Sequence, residues 1–329
     1  MLNILGIGSF SPDIIIDNKF IVSLGVDTSE EWIMEKIGIV TRCTTLPLDY
    51  IRETRNQDPS QAMKVAKLTP TEMAVKAAEV ALQRAGIKAG DIGLVICDCC
   101  TPVELAPAEA QRIARALGLG FGVPAYDVFT ACPAFALHVD FLNSFKEEKL
   151  PDYVLCVCTA ALTHSVNYND RTDGAIWGDG AAAWVVSAKH PGRLKVLYSF
   201  YSADTSRCDA VVVDRFGFFH QEGRAIRDFS VRQTVRLIRD AEGRFDLDWK
   251  RDIFIGHQAN ATMLQQIINN RGIPESNHWH NVETVGNQAG AGAPASLAMH
   301  WDEIAKGQKI VVAVVGAGLS WGTLVLEGT

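Results

Sequence analysis

Short apolar runs alternate with longer amphipathic stretches along the whole chain. Asn3–Gly8, Leu94–Asp98, Ala125–Phe129, Tyr153–Cys158, Gly180–Ser187, Arg193–Phe200, Ile253–Ile255, Ile310–Val315 and Leu319–Leu326 read as strands. Thr28–Ile37, Thr69–Ala85, Ala108–Leu117, Pro133–Glu148, Val231–Ala241, Asn260–Arg271 and Ala291–Lys306 read as helices. Asp27 or Thr28 is placed to cap the first of these, with Glu30 and Glu31 in its first turn. Thr69-Pro70 opens the second and Ala85-Gly86 closes it. This alternation predicts an α/β fold, with a parallel-rich sheet covered by helices on both faces.

A weak internal duplication overlies the pattern. Gly178-Asp179-Gly180 feeds the apolar run Ala181–Val186, and Gly316-Ala317-Gly318 feeds Leu319–Leu326 in the same manner. The turn-like Lys189-His190-Pro191-Gly192 separates two halves, 1–188 and 189–329, with a ligand cleft expected between them. The polar segment Leu46–Lys67 breaks the alternation. It reads as a surface excursion of the first half, either a solvated loop or a gate over substrate.

Composition narrows the class. The chain has 329 residues, of which 48% are hydrophobic and 21% charged, as in a globular α/β protein too long for one ordinary core. A formal net charge of −7 disfavours nucleic acid or an anionic membrane as partner, though not a local basic patch. Met1-Leu2-Asn3-Ile4 lacks a basic leader, and Ile310–Leu319 is too short to span a bilayer, so a cytoplasmic protein is expected. The eight cysteines have no framework spacing and read as reduced thiols. Neither Cys97-Asp98-Cys99-Cys100 nor His278-Trp279-His280 is expected to bind metal: the first ends a strand, and the second lies in a loop with no partner ligand nearby in sequence.

Three junctions carry chemistry. In Asp127–Ala136 a strand ends, a turn follows and a helix starts at Cys132-Pro133, where free N–H groups and the helix dipole favour a thiolate. In Ile255-Gly256-His257-Gln258-Ala259-Asn260 a strand gives way to a helix at His257. In Val285-Gly286-Asn287-Gln288-Ala289-Gly290, Asn287 stands before a helix in a glycine-rich loop that another chain segment or a ligand can approach closely. Taken singly, these are a core cysteine, a structural histidine and a helix cap. Together they are a nucleophile, a titratable group and a neutral donor at strand-to-helix junctions, where open α/β sheets bind ligands.

With these segments in this order, the sequence resembles the β-ketoacyl-acyl carrier protein synthase III group of the thiolase superfamily. The resemblance covers nearly the whole chain. It includes Asp27–Ile33, Asn169-Asp170-Arg171 before Trp177–Gly180, and the closing Gly316–Gly322. It implies a five-layered αβαβα fold from two similar halves, and a homodimer. It assigns Cys132 as acyl-accepting nucleophile and His257 with Asn287 as the pair supporting decarboxylation of a malonyl thioester. The backbone N–H groups of Cys132 and Ala317 become the oxyanion donors. Trp32, Arg171 and Asn260 are implied to contact substrate, the first two at the adenine end of coenzyme A. Ala106 matches a position at the acyl pocket. No metal or redox cofactor is implied; the partners are acyl-coenzyme A and an acyl carrier protein.

Several positions depart from that pattern. Lys36 and Ile37 follow Trp32 where relatives often carry Arg and Thr. Thr262, Asn269 and Asn270 occupy a helix that is often basic, and Asp228 stands where Lys is usual, so the carrier-docking patch is expected to be weak, with Arg271 its main remnant. The excursion at 46–67 resembles the branch serving specialised pathways, such as dialkylresorcinol-type ketosynthases. Two other activities remain open: acyl transfer to oxygen or nitrogen without decarboxylation, and a non-catalytic partner subunit.

Overall fold

The computed structural model describes all residues, 1–329. Its centre is a layer of two helices with no solvated side. Gly292–Met299 carries apolar or small residues all round, and Ala134–Asn143 does so apart from His138, Asp140 and Asn143, so both must be buried over most of their length. They lie in a cluster with Ile4, Ile96, Cys156 and Trp184 from strands on one side, and Ile255, Val312 and Leu324 from strands on the other.

The same strands are apolar at intervening positions. Val95, Leu155, Val157, Ala183 and Val185 face the opposite way, against helices Pro70–Ala85 and Glu109–Ala116. Phe254 and Ala313 face helices Gly223–Arg244 and Ala261–Arg271. Strand residues alternate between faces, so runs apolar at every position are needed where both faces are covered. The result is five layers, helix–sheet–helix–sheet–helix, the thiolase-like αβαβα architecture.

Strands Asn3–Phe10, Asp179–Ser187, Val154–Ala161, Leu94–Cys99 and Ala125–Asp127 follow one another across one sheet. Leu194–Ala203, Ser320–Gly328, Lys309–Gly316 and Ile253–Gly256 form the other. The two join only where Asn3 and Ile4 pair with Lys195 and Leu194. Parallel pairing is confined to the flanks, between Leu94–Cys99 and each of its neighbours and between Ile253–Gly256 and Lys309–Gly316. All inner junctions are antiparallel, which corrects the parallel-rich expectation. The sequence alternation did not show that the first strand inserts antiparallel between Asp179–Ser187 and Leu194–Ala203, or that Lys309–Gly316 and Ser320–Gly328 are joined by a tight turn and so pair antiparallel.

Helix Pro70–Ala85 begins with a capping box between Thr69 and Glu72 and ends at Gly86 in the left-handed region, as expected. The helix Glu30–Lys36 is capped by Ser29, whose hydroxyl accepts from the Trp32 N–H at 3.1 Å, rather than by Asp27 or Thr28. Gly223–Arg244 starts a full two turns before the expected Val231, and Ala134–Asn143 and Gly292–Met299 end before the expected Glu148 and Lys306. Two antiparallel pairs escaped the sequence pattern: Ile14–Asp17 with Thr41–Thr44, across two intervening helices, and a second, the hairpin of Val211–Val213 with Phe219–Gln221. Leu46–Lys67 is not a loop. It folds into helices Leu48–Thr54 and Pro59–Val65. Leu46, Ile51 and Ala62 are buried, and Asn56 donates to the carbonyls of His164 and Val166 at 2.9 Å each. No helix is long and apolar enough to cross a membrane.

Gly6 and Gly8 let helix Pro70–Ala85 lie directly on the first strand. A Cβ on Gly8 would sit 2.3 Å from the Ala77 carbonyl oxygen. Gly8→Ala is therefore expected to lower unfolding stability by about 2 kcal/mol through overpacking, read as a shift in denaturant midpoint with unchanged slope; wild-type stability in this variant would refute the close approach.

Candidate active site

Cys132 follows a turn in which Ala131 adopts φ +60°, a left-handed conformation that costs a non-glycine residue energy. The buried carboxylate of Asp98 holds that turn, accepting from the Thr130 N–H at 2.6 Å and the Ala131 N–H at 2.9 Å. Asp98 is the lone charge in the apolar strand Leu94–Cys99, a signal the sequence reading set aside as part of a cysteine cluster. Cys97 and Cys99 point away from it, into the outer helical layer. Burial raises the Asp98 carboxyl to about 7 despite the two N–H donors that oppose the rise.

Gly316 crosses in front of the nucleophile. A Cβ there would lie 2.7 Å from the Cys132 Cβ and 3.3 Å from its Sγ. The crossing turns the N–H of Ala317 toward the thiol, beside the N–H of Cys132 itself; both favour negative charge on sulfur. Burial outweighs them and pushes the thiol up to about 12, with the Asp98 charge adding to the shift. The expectation of a thiolate stabilised by the helix start is thus corrected: the helix proper opens only at Ala134, and the resting nucleophile is a thiol. Burial also lowers His257 to about 4, so its imidazole is neutral at physiological pH. The Nδ1 of His257 is buried without a protein partner.

Asn287 is fixed on both sides. Its N–H donates to the Ile176 carbonyl at 2.9 Å, and its carbonyl accepts from the Gly178 N–H at 3.0 Å. Its side-chain Oδ1 accepts from the Ala289 N–H at 2.9 Å, which leaves the Nδ2 hydrogens free to donate. The strap requires glycine: a Cβ on Gly178 would be 1.9 Å from the Val285 carbonyl oxygen. Gln258, next to His257, joins the two loops, accepting on Oε1 from the Asn281 N–H at 3.0 Å and donating Nε2 to the Gly256 carbonyl at 2.9 Å.

Cys132, His257, Asn287 and Ala317 line one cavity of about 250 Å³. Its walls are mostly apolar. The second hairpin and helix Gly223–Arg244, neither read as site elements in the sequence, contribute Val211, Val213, Phe219 and Phe229. Trp32 and Asn260 also line the cavity. The Arg171 guanidinium stacks on Trp32, 4.7 Å from the ring centroid, and its Nη1 donates to the Asp27 carbonyl at 2.8 Å. Asn260 caps helix Ala261–Arg271, its Oδ1 accepting from the Met263 N–H at 3.0 Å. Ala106 lies on an exposed loop outside this cavity, so the expected acyl-pocket contact is not made within the chain. No residue of 46–67 lines the cavity either; Pro59 and Met63 border a neighbouring one. Arg271 is paired with Glu242. Exposed basic charge lies on helix Gly223–Arg244, at Arg224, Arg227, Arg232, Arg236 and Arg239.

A five-layered αβαβα fold with cysteine, histidine and asparagine converging on one apolar cavity defines an acyltransferase of the thiolase superfamily. Residues 126–205 match the 3-oxoacyl-[acyl-carrier-protein (ACP)] synthase III family, and residues 249–327 match its C-terminal region. The chain is 29% identical over 329 residues to the beta-ketoacyl-[acyl-carrier-protein] synthase III of Neorickettsia sennetsu, covering 99% of this chain and 98% of that protein. The 3-oxoacyl-[acyl-carrier-protein] synthase III structure from Aquifex aeolicus superposes with a TM-score of 0.87 at 26% identity, covering 99% of this chain and 100% of the other. That from Pseudomonas aeruginosa gives 0.82 at 25%, covering 99% and 98%. These likenesses support a β-ketoacyl-acyl carrier protein synthase III-like member of the thiolase superfamily.

The neutral thiol has a measurable consequence. Alkylation of Cys132 by iodoacetamide, followed peptide by peptide, is expected to keep accelerating past pH 9, the ordinary thiol value; a plateau at neutral pH would show a standing thiolate instead.

Proposed function

We propose that the protein loads an acyl group onto Cys132 and condenses it with a malonyl-type thioester, with loss of CO2. The observation that carries this reading is the convergence of a buried thiol, a neutral imidazole and an amide with free N–H donors on one cavity. The Cys132 proton must leave as sulfur attacks the donor carbonyl, and neutral His257 is the base in the cavity. The N–H groups of Cys132 and Ala317 receive the oxyanion. Coenzyme A or carrier thiol departs. When the second thioester loses CO2, the enolate oxygen takes the negative charge. Neutral N–H donors from His257 and Asn287 suit that oxygen, because neither needs to titrate to donate. The enolate carbon then attacks the thioester on Cys132 and frees the sulfur.

Leu162, Val211, Phe219, Met263 and Leu319 in the walls support an apolar acyl group. The Trp32–Arg171 stack supports a flat aromatic base at the mouth, since both planes offer a face to a purine. The exposed arginines of helix Gly223–Arg244, which contributes Arg227 to the cavity wall, support an acidic carrier protein as a donor. A second copy of the chain would cover the edge strand Ala125–Asp127 with the exposed Leu105, Phe121 and Phe129.

The decisive experiment is intact-protein mass spectrometry after incubation with a panel of acyl-coenzyme A thioesters. A mass gain that is absent in Cys132→Ala is expected. Asn287→Ala is expected to acylate normally but to release CO2 from malonyl thioester about 100- to 1000-fold more slowly. CO2 release unchanged in Asn287→Ala would count against this role for Asn287, and an ester or amide product formed with no CO2 lost would replace condensation by plain acyl transfer. No labelling with any acyl-coenzyme A would leave two readings, a donor carried only by a carrier protein or a non-catalytic subunit.

Charge reversal at Arg224 and Arg232 is expected to raise KM for the carrier-borne thioester several-fold, in a salt-sensitive manner, without changing KM for the coenzyme A form. Equal effects on both would remove the helix from carrier docking.

A further inference from the structure

The segment between the His257 and Asn287 loops holds a cluster that this chemistry leaves unused. His278 and His280 leave the same side of an extended stretch, and their rings stack with centroids 4.7 Å apart and planes 24° apart. Trp279 turns the other way, onto His300 at 4.6 Å. Glu275, in the preceding helical turn, reaches both imidazoles: its Oε1 is 3.1 Å from His280 Nε2 and 3.8 Å from His278 Nδ1. The ligating atoms of the three residues all lie within 4.8 Å of one another.

His278 is the anomaly. It is only 5% exposed, and neither ring nitrogen has a hydrogen-bond partner in the protein. Its far face is closed by Phe254, with ring centroids 5.5 Å apart. A buried imidazole with both nitrogens unanswered is costly and calls for an explanation.

We propose that Glu275, His278 and His280 form a site for a divalent transition metal, with Zn2+ its natural occupant. Two imidazole nitrogens and one carboxylate oxygen make a common three-residue zinc set, with the fourth position left to water. Ligands bound at zinc distances stand about 3.3 Å apart on a tetrahedral edge, and the present 3.1 and 3.8 Å bracket that value. His280 binds through Nε2. Its Nδ1 faces the Glu283 carboxylate at 3.6 Å, matching the outer carboxylate that commonly orients a metal-bound histidine. The expectation that His278-Trp279-His280 lacks a partner ligand fails because a turn brings Glu275 back over both rings.

The place in the fold gives the metal a structural role. Phe254, under His278, lies on the strand that delivers His257. The N–H groups of Asn281 and Val282, just after His280, are held by Gln258 beside His257. The metal would staple the segment that joins the two catalytic loops.

The test uses full-length protein stripped with chelator. Zn2+ is titrated in competition with a chromophoric chelator, Co2+ binding is followed by absorption, and thermal unfolding is recorded with and without metal. One Zn2+ per chain, a raised Tm and Co2+ ligand-field bands without a thiolate charge-transfer band are expected. Glu275→Gln and His280→Gln, both at the surface, are expected to weaken binding about tenfold or more, while Cys208→Ser, at the one fully exposed cysteine, leaves it unchanged. Absence of stoichiometric binding, equal binding in both histidine-site variants, or a thiolate band that disappears in Cys208→Ser would each overturn the site.

Discussion

The helices Ala134–Asn143 and Gly292–Met299 are apolar over most of their surface, and the rest of the molecule is arranged to cover them. Two sheets press on them from opposite sides. Sheets that cover helices on one face and pack against further helices on the other need apolar side chains on both, and these strands supply them, with Asp98 the charged exception in Leu94–Cys99. The two helices begin close together: Gly290, just before the second, admits the Ala131 carbonyl, and a Cβ there would lie 2.7 Å from that oxygen. The nucleophile turn and the asparagine loop are thereby packed together by the same contact that closes the core.

The site has a polar skeleton inside an apolar cavity. Asp98 holds the strained turn at Ala131, Gln258 ties the histidine loop to Asn281, and Ala289 fixes the Asn287 amide. Each uses a buried hydrogen bond in a low-dielectric setting, where a lost partner is expensive and geometry is correspondingly rigid. That rigidity suits chemistry in which charge appears only transiently. The thiol and the imidazole both rest neutral because burial penalises their charged forms, while N–H donors wait where negative charge will form.

Cys132 and His257 each sit where a strand gives way to a helix with glycine or proline beside it, and such punctuation survives without tertiary information; Asn287, expected at the same kind of junction, instead follows the short helix Val282–Val285 and was marked only by its neighbouring glycine. Thr69-Pro70 and Gly86 marked their helix for the same reason. Other features were not legible. The start of helix Gly223–Arg244 carries a glycine and several arginines and no side-chain cap, so nothing local announces it. Leu48–Thr54 and Pro59–Val65 are short and polar outside, and only Leu46, Ile51 and Ala62 anchor them. Ser29, Thr28 and Asp27 are all competent caps, and the backbone path chose Ser29.

Taken alone, the sequence determined the local grammar: which runs are strands, which are helices, and where a nucleophile, an imidazole and an amide stand at their junctions. These follow from periodicity, from the φ freedom of glycine and from the fixed φ of proline, all properties of neighbouring residues. Tertiary structure decided what depends on distant residues meeting. It set the antiparallel centre of the sheets, the neutral resting state of Cys132, the enclosure of the cavity by the 211–221 hairpin, and the return of Glu275 over two stacked imidazoles. Burial and strand partnership are not properties of a segment; they are created by what packs against it.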